Sequence, residues 1–90
     1  MLSLKVRVTG RVQGVGYRAW TTERARAHGL TGWVRNEADG TVTAVFHGAV
    51  AAVQAMIDEC RDGPPSAMVD HLSVDHLDEA PTGPFRISRL

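Results

Sequence analysis

The sequence predicts a single α+β domain in which two helices cover one face of an antiparallel sheet. Three observations support this class: short segments that alternate apolar and polar residues, two longer segments with helical spacing, and an Asp-Gly pair between two predicted strands. The chain has 90 residues, of which 43% are hydrophobic and 22% are charged, as is typical of a folded globular protein. We therefore assign residues 1–90 to one domain with a modest core.

The first part of the chain predicts a strand, a glycine-rich turn and a helix. Residues 4–9 alternate apolar and polar side chains, which indicates a strand with one buried face. Residues 10–16 contain three glycines, and residues 17–28 contain neither glycine nor proline. Four residues of that second segment recur at helical spacing and predict its buried stripe: Tyr17, Thr21, Ala25 and His28. Gly29 then supplies a signal for the end of the helix.

The middle of the chain predicts a β-hairpin. Residues 31–36 and 42–47 are short and rich in residues that favour strands. The Asp39-Gly40 pair between them is a common hairpin turn, because such turns need backbone conformations that glycine and aspartate tolerate. These two strands should therefore pair antiparallel.

The rest of the chain predicts a second helix and two further strands. Residues 49–61 have helical spacing and end before the Pro64-Pro65 pair, which cannot continue a helix. Residues 68–77 contain a strand, and residues 85–88 alternate again near the end of the chain. The expected buried stripe of the second helix consists of Ala49, Val53, Met56 and Cys60. The order βαββαβ, with a short extra C-terminal strand, predicts a ferredoxin-like sandwich.

The charge and cysteine content exclude several classes of protein. Ten Lys and Arg residues balance ten Asp and Glu residues, so the basic excess of a nucleic-acid-binding protein is missing. The single Cys60 allows no internal disulfide and fits a reducing compartment. The start of the chain does not resemble a secretory signal, and no apolar run is long enough to span a bilayer. A cytoplasmic protein without membrane or nucleic-acid partners is expected.

The turn before the first helix is the most informative segment for function. Glycines let backbone N–H groups converge, and the helix N-terminus adds its own unpaired N–H groups. Arg18, in the first helical turn, adds a planar guanidinium that matches phosphate geometry. This pattern favours an anion site, although a tight turn beside a surface arginine is the alternative.

Two better-known nucleotide patterns do not fit this segment. Residues 14–19 satisfy the loose dinucleotide pattern G-x-G-x-x-A, but that pattern needs a parallel βαβ unit with an acidic residue after the second strand. Here the second strand ends in Arg35-Asn36. A P-loop is excluded because no Gly-Lys-Ser/Thr sequence occurs.

The other chemically capable residues carry weaker signals. The Asn36 amide could hold a water beside a bound phosphate, or Asn36 could simply start a turn. His71 and His76 should point to opposite faces of their strand, and no set of residues has metal-ligand spacing. Cys60 lies on a core stripe and is expected to pack rather than react. Trp20 and Trp33 could line a site or pack.

Two segments resemble the motifs of the acylphosphatase family. The first is VTGRVQGVGYR at residues 8–18, and the second is GWVRN at residues 32–36, followed by Gly40, Val42 and Gly48. The terminal Phe85-Arg86-Ile87 is also similar to the family. The resemblance covers essentially the whole chain, and two long motifs in the right order are far more specific than the glycines alone.

The resemblance implies a small monomeric enzyme of ferredoxin-like fold. Such an enzyme hydrolyses small acyl phosphates, the mixed anhydrides of a carboxylate and phosphate, without a metal or organic cofactor. Inorganic phosphate would be its product and its inhibitor. Asn36 would position the attacking water and Arg18 would bind phosphate, together with the backbone of Gln13, Gly14, Val15, Gly16, Tyr17 and Arg18. The family usually has phenylalanine where Tyr17 stands, and a buried hydroxyl needs a hydrogen-bond partner.

Two alternatives to this enzyme are considered. One is a non-catalytic acylphosphatase-like module that binds phosphate or a protein, as at the front of larger hydrogenase-maturation proteins; the end of the chain at Leu90 argues against it. The other is an RNA-binding sheet of similar topology, which would carry paired aromatic residues on its central strands. Phe46 is the only aromatic residue in residues 42–47, which argues against that function.

Overall fold

The structure is a computed structural model that describes residues 1–89, and it contains five strands and two helices in these residues. Each predicted helix and strand is present, with bounds within two residues of those expected. The elements in chain order are β1 (Leu2–Arg11), α1 (Tyr17–Ala27), β2 (Thr31–Asn36), β3 (Val42–Gly48), α2 (Val50–Asp62), β4 (Met68–His76) and β5 (Arg86–Ile87). Neither helix has the length and apolar character that crossing a bilayer requires.

The strands form one sheet in the order β4-β1-β3-β2-β5. The four long strands pair antiparallel, as the ferredoxin-like prediction requires. The short β5 instead pairs parallel to β2, so the complete sheet is mixed. The reason is topological: β4 and β2 run in opposite directions, so the chain leaves β4 at the end of the sheet where β2 begins. A final strand that starts there and lies beside β2 must share the direction of β2.

The first strand is longer than predicted. Gly10 and Arg11 continue the pairing with β4 instead of belonging to the turn, and the register shifts between Thr9 and Gly10. Such a bulge bends a strand at its end. The loop that follows is therefore confined to residues 12–16, and it starts from a strand end that is paired with β4.

The core lies between the two helices and the face of the sheet that they cover. The largest fully buried side chains include Phe46, Phe85 and Met56. Phe46 and Phe85 stack with their ring centroids 5.5 Å apart. Because Phe46 points into this core, β3 carries no Phe, Tyr or Trp ring on the open face, where an RNA-binding sheet of this topology would stack bases.

Two predicted stripe residues lie outside the core. Ala49 is exposed and precedes α2 as its N-cap, so the helix begins one residue later than expected. His28 is half-buried after the last residue of α1, where its Nε2 contacts the carboxylate of Glu59 on α2. Cys60 is fully buried as predicted, and burial raises the pKa of its thiol to about 12. A thiol of that kind is protonated near neutral pH and does not act as a nucleophile.

The Tyr17 hydroxyl completes the C-terminal end of α2. A helix carbonyl normally accepts from the N–H four residues later, but residue 64 is proline and has no N–H to donate to Cys60. The Tyr17 hydroxyl donates a hydrogen bond to that Cys60 carbonyl instead, at 2.7 Å. Gly63 leaves room for the ring, because a Cβ there would lie 2.8 Å from Tyr17 Cε2. Burial raises the pKa of the phenol well above its ordinary value.

Replacing Tyr17 by phenylalanine should cost stability but not activity. The substitution leaves the Cys60 carbonyl without a donor, which costs about 1–3 kcal/mol for a buried group. For a domain of this size each kcal/mol shifts the melting temperature by roughly 4–8 °C. Thermal unfolding followed by circular dichroism measures the loss. An unchanged melting temperature would contradict the capping role, and a large loss of turnover in the folded variant would give the hydroxyl a part in the reaction.

The C-terminal segment is held against the domain by Phe85, whose side chain packs in the core and is fully buried. Arg26 on α1 donates two hydrogen bonds to the Phe85 carbonyl, from Nε at 3.0 Å and from Nη2 at 2.8 Å. Beyond β5, the Ser88 N–H donates to the Val34 carbonyl at 2.8 Å. Residues 85–88 are therefore held beside β2 on the side where α1 begins.

Candidate active site

The loop between β1 and α1 has a backbone conformation that only glycine adopts readily. Gly14 has φ of 74° and Gly16 has φ of 80°, both in the left-handed region. A Cβ at either position would meet no heavy atom within 4 Å, so the glycines serve the backbone conformation and not close packing. Gly16 is the N-cap of α1 and offers no side chain to cap the helix. The loop therefore leaves the start of α1 open.

This open helix start presents a set of unpaired backbone donors. The first helical hydrogen bond of α1 is from the Trp20 N–H to the Gly16 carbonyl, at 3.0 Å. Among the described residues, the N–H groups of residues 14–19 find no backbone acceptor outside the regular elements and no side-chain acceptor. The first turn also carries no acidic residue that could neutralise the positive end of the helix dipole. Such a group of donors binds an anion.

Arg18 adds a full positive charge to these donors. Its side chain is half-buried on the first turn of α1. Unlike Arg24 and Arg35, which pair with glutamates, Arg18 forms no ion pair with any residue in the described part of the chain. A guanidinium in that state can direct its donors at a ligand.

Asn36 approaches the same place from the sheet. It is the last residue of β2, and the alternation of the strand puts its side chain on the helix-covered side, with Gly32 and Val34. Its Oδ1 is buried and accepts no hydrogen bond from any described residue. A buried amide oxygen without a donor costs free energy, so this oxygen is available to a donor that enters the site.

These features surround one cavity of about 280 Å³. Of the predicted site residues, Gly14, Gly16, Tyr17, Arg18 and Asn36 line it. Gln13 and Val15 do not; the Gln13 side chain turns instead toward the β2–β3 hairpin. The sequence did not predict the other lining residues: Val12, Ala19, Ile87 and Arg89. For Ile87 the sequence did contain a signal. Phe85 and Ile87 alternate with polar residues, so both lie on one face of the C-terminal segment, with Phe85 in the core and Ile87 at the cavity.

A second depression widens the site toward solvent. It has a volume of about 460 Å³ and shares Arg18, Asn36 and Arg89 with the first cavity. Neither tryptophan lines these two cavities: Trp20 packs beside Tyr17, and Trp33 lies under the guanidinium of Arg35 at 4.7 Å. No cluster of three or more His, Cys, Asp or Glu side chains that could hold a metal occurs within residues 1–89.

The open face of the sheet carries a separate polar cavity of about 340 Å³. Two of its three cations are already paired, Arg7 with Asp39 at 3.0 Å and Arg35 with Glu37 at 2.9 Å. The Thr43 hydroxyl and the Arg35 guanidinium beside the Glu37 carboxylate lower its pKa and favour its charged form. These internal pairs leave the open face less suited to an anion than the cavity at the start of α1.

The comparison with protein families gives one match over most of the chain. The model described as Acylphosphatase matches residues 4–87. Among curated proteins, the acylphosphatase of Rhodospirillum rubrum is 64% identical over 74 residues, covering 82% of this chain and 81% of that protein. The acylphosphatase of Mesorhizobium japonicum is 54% identical over 87 residues, covering 94% of this chain and 92% of that protein.

Solved structures give the same result. The crystal structure of acylphosphatase from Bacillus subtilis has a TM-score of 0.91 at 34% identity and covers 99% of this chain and 100% of that chain. The structure of HypF from T. kodakarensis has a TM-score of 0.85 at 28% identity, but it covers 100% of this chain and only 12% of that chain. From the matched family model and these relatives, the chain belongs to the acylphosphatase family and is a hydrolase of that family.

Proposed function

We propose that this chain hydrolyses small acyl phosphates to a carboxylate and inorganic phosphate in the cavity at the start of α1. One observation carries the proposal: unpaired backbone donors, an unpaired arginine and an amide oxygen without a donor line the same cavity. The first two groups suit a phosphoryl group, and the third suits a water. All of them come from one chain, so we expect the monomer to be active.

Arg18 and the backbone N–H groups that line the cavity, those of residues 14 and 16–19, would bind the three non-bridging phosphoryl oxygens. Their charge and dipoles stabilise the negative charge on these oxygens in the transition state, without the cost of reorganising solvent. Asn36 Oδ1 would accept a hydrogen bond from the attacking water and aim the water oxygen at phosphorus. Holding both reactants in this way replaces an encounter in solution by a reaction within one complex.

The reaction needs little further chemistry from the protein. The water oxygen forms a bond to phosphorus, and the bond between phosphorus and the bridging oxygen breaks. The carboxylate leaves with that electron pair, and both protons of the water go to the phosphate product, which leaves as dihydrogen phosphate and can release one of them to solvent. A carboxylic acid has a pKa near 4, so its anion leaves without a general acid. This agrees with a 280 Å³ cavity whose lining residues include no histidine, aspartate or glutamate; Glu37 lines only the wider depression, and its carboxylate pairs with Arg35.

Hydrolysis of benzoyl phosphate by the purified chain tests this function. We expect turnover that is unchanged by excess EDTA, and competitive inhibition by inorganic phosphate, because product and substrate would occupy the same donors. Phenyl phosphate is the matched control: its leaving group has a pKa near 10, so without a general acid it should react far more slowly.

Three results would count against the proposal. Loss of activity in EDTA that a divalent metal restores would show that the reaction needs a metal. Comparable hydrolysis of phenyl phosphate would require an acid that the cavity lining does not include. Phosphate binding without any turnover of benzoyl phosphate would favour the alternative, a non-catalytic phosphate-binding module.

A further inference from the structure

The side chain of Gln13 joins the loop before α1 to the hairpin that follows Asn36. Its Nε2 donates to the Glu37 carbonyl at 2.8 Å and to the Thr41 carbonyl at 2.9 Å. Both N–H bonds of the amide are used, and the side chain is half-buried. No other side chain of residues 12–18 bonds to this hairpin within the described chain.

The two carbonyls that Gln13 binds are the ones that close the hairpin. The Glu37 N–H donates to the Thr41 carbonyl at 2.9 Å, and the Gly40 N–H donates to the Glu37 carbonyl at 3.2 Å. Glu37 directly follows Asn36, so a displacement of the Glu37 carbonyl also shifts the backbone at Asn36. Gln13 therefore contacts the point where the hairpin begins.

We propose that the Gln13 side chain is a positioning residue that sets the distance between the bound phosphoryl group and the water on Asn36. This proposal rests on the function proposed above. The phosphoryl donors belong to the β1–α1 loop, whereas Asn36 belongs to β2, and β3 lies between β1 and β2 in the sheet. A hydrogen-bonded link across the end of β3 holds the two halves of the site in one geometry. In-line attack depends on such geometry, and a misplacement of about 1 Å can cost roughly 10²-fold in rate.

A primary amide of this length suits the position. Two carbonyls require two N–H donors on one nitrogen, which glutamine supplies and glutamate does not. Asparagine keeps the donors but is one methylene shorter, and methionine keeps the length but has no donor. The side chain is not needed to bind phosphate, because Gln13 does not line the cavity.

A double-mutant cycle between Gln13→Met and Asn36→Ala tests the proposal, with kcat for benzoyl phosphate and Ki for inorganic phosphate measured in each variant. We expect Gln13→Met alone to lower kcat about 10-fold or more and to change Ki by less than about twofold. In the Asn36→Ala background, the same substitution should leave kcat unchanged, because no positioned water remains to be misplaced. Arg24→Met, which removes the pair with Glu59 away from the cavity, is the control for a change in stability alone.

The outcomes separate this proposal from the function on which it rests. If Asn36→Ala lowers kcat but Gln13→Met does not, the positioning role is wrong and the proposed function stands. Equal losses from Gln13→Met in both backgrounds, or a rise in Ki that matches the fall in kcat, would also overturn the positioning role. If Asn36→Ala has no effect, the placement of the water on Asn36 is wrong and the positioning role falls with it, whereas the proposed function fails only if the unsubstituted chain does not hydrolyse benzoyl phosphate. Should Gln13→Met not fold, Gln13→Asn takes its place in the cycle, with the same expected pattern.

Discussion

Replacing Asn36 by alanine should lower kcat for benzoyl phosphate by about 10²-fold or more, while the Ki of inorganic phosphate stays close to its wild-type value. The size follows from the loss of one preorganised polar group in an active site. The selectivity follows from position: Asn36 would hold the water, whereas the phosphate would bind to the start of α1. Steady-state kinetics with phosphate as inhibitor measure both constants in one experiment.

Asn36→Asp is the matched variant for this prediction. A carboxylate keeps an oxygen that can accept from water, but its negative charge lies beside the phosphoryl group and should raise the Ki of phosphate. Alanine should therefore affect kcat selectively, and aspartate should affect both constants. If the alanine variant keeps a near-normal kcat, or loses phosphate affinity as severely as an Arg18 variant, the assignment of the water to Asn36 is wrong.

Replacing Arg18 by alanine should weaken phosphate binding and also lower turnover. Arg18 would contact the phosphoryl group both before and during the reaction, so its loss should raise the Ki of phosphate and reduce kcat/KM by at least 10²-fold. The expected pattern differs from that of Asn36→Ala, in which only kcat falls. The same two measurements therefore distinguish the roles of the two residues.

Lysine at position 18 should not restore the activity. An ammonium group keeps the charge but cannot donate two parallel hydrogen bonds from a planar group. Arg11→Ala is the control, because Arg11 is a nearby exposed arginine that does not line the cavity. Near-normal kinetics of Arg18→Lys would show that charge alone is enough. An equal loss from Arg11→Ala would indicate general attraction of the substrate and not a specific contact.

The fold could be predicted from the sequence because local patterns and long-range contacts agree. Alternation in β1 puts Leu4, Val6 and Val8 on the buried face, and the Asp-Gly turn fixes the pairing of β2 with β3. The direction of β5 could not be predicted in the same way. A two-residue strand has almost no periodicity, and its direction beside β2 follows from the running direction of β4, which ends where β2 begins.

The candidate site could be predicted only in part. The glycines and Arg18 carry a local signal, since they need no distant partner to form an anion site. Asn36 on its own favours an ordinary turn over a role in a reaction, and only the resemblance to a family gives it such a role. Its place beside the start of α1 depends on the register of three strands, which no local pattern contains.

The side chain of Gln13 shows a further limit of reading a sequence. A glutamine beside glycines gives no sign of whether its backbone or its amide matters. The two carbonyls that it binds belong to residues 37 and 41, and a carbonyl acceptor is the same for every residue type. Contacts between a side chain and a distant backbone are therefore invisible in sequence patterns.

The attachment of Phe85 affects how the site can fail. Ile87 and Arg89 form one wall of the cavity, and this wall could fray easily if only the two residues of β5 held it. Fraying is opposed by Phe85, whose removal from the core would cost a free energy comparable to that of a Phe→Ala substitution, about 3–5 kcal/mol. That cost approaches the whole stability of many small domains. The wall of the cavity should therefore detach only when most of the domain unfolds. Hydrolysis should then be lost together with the folded structure, with no contribution from partly denatured molecules.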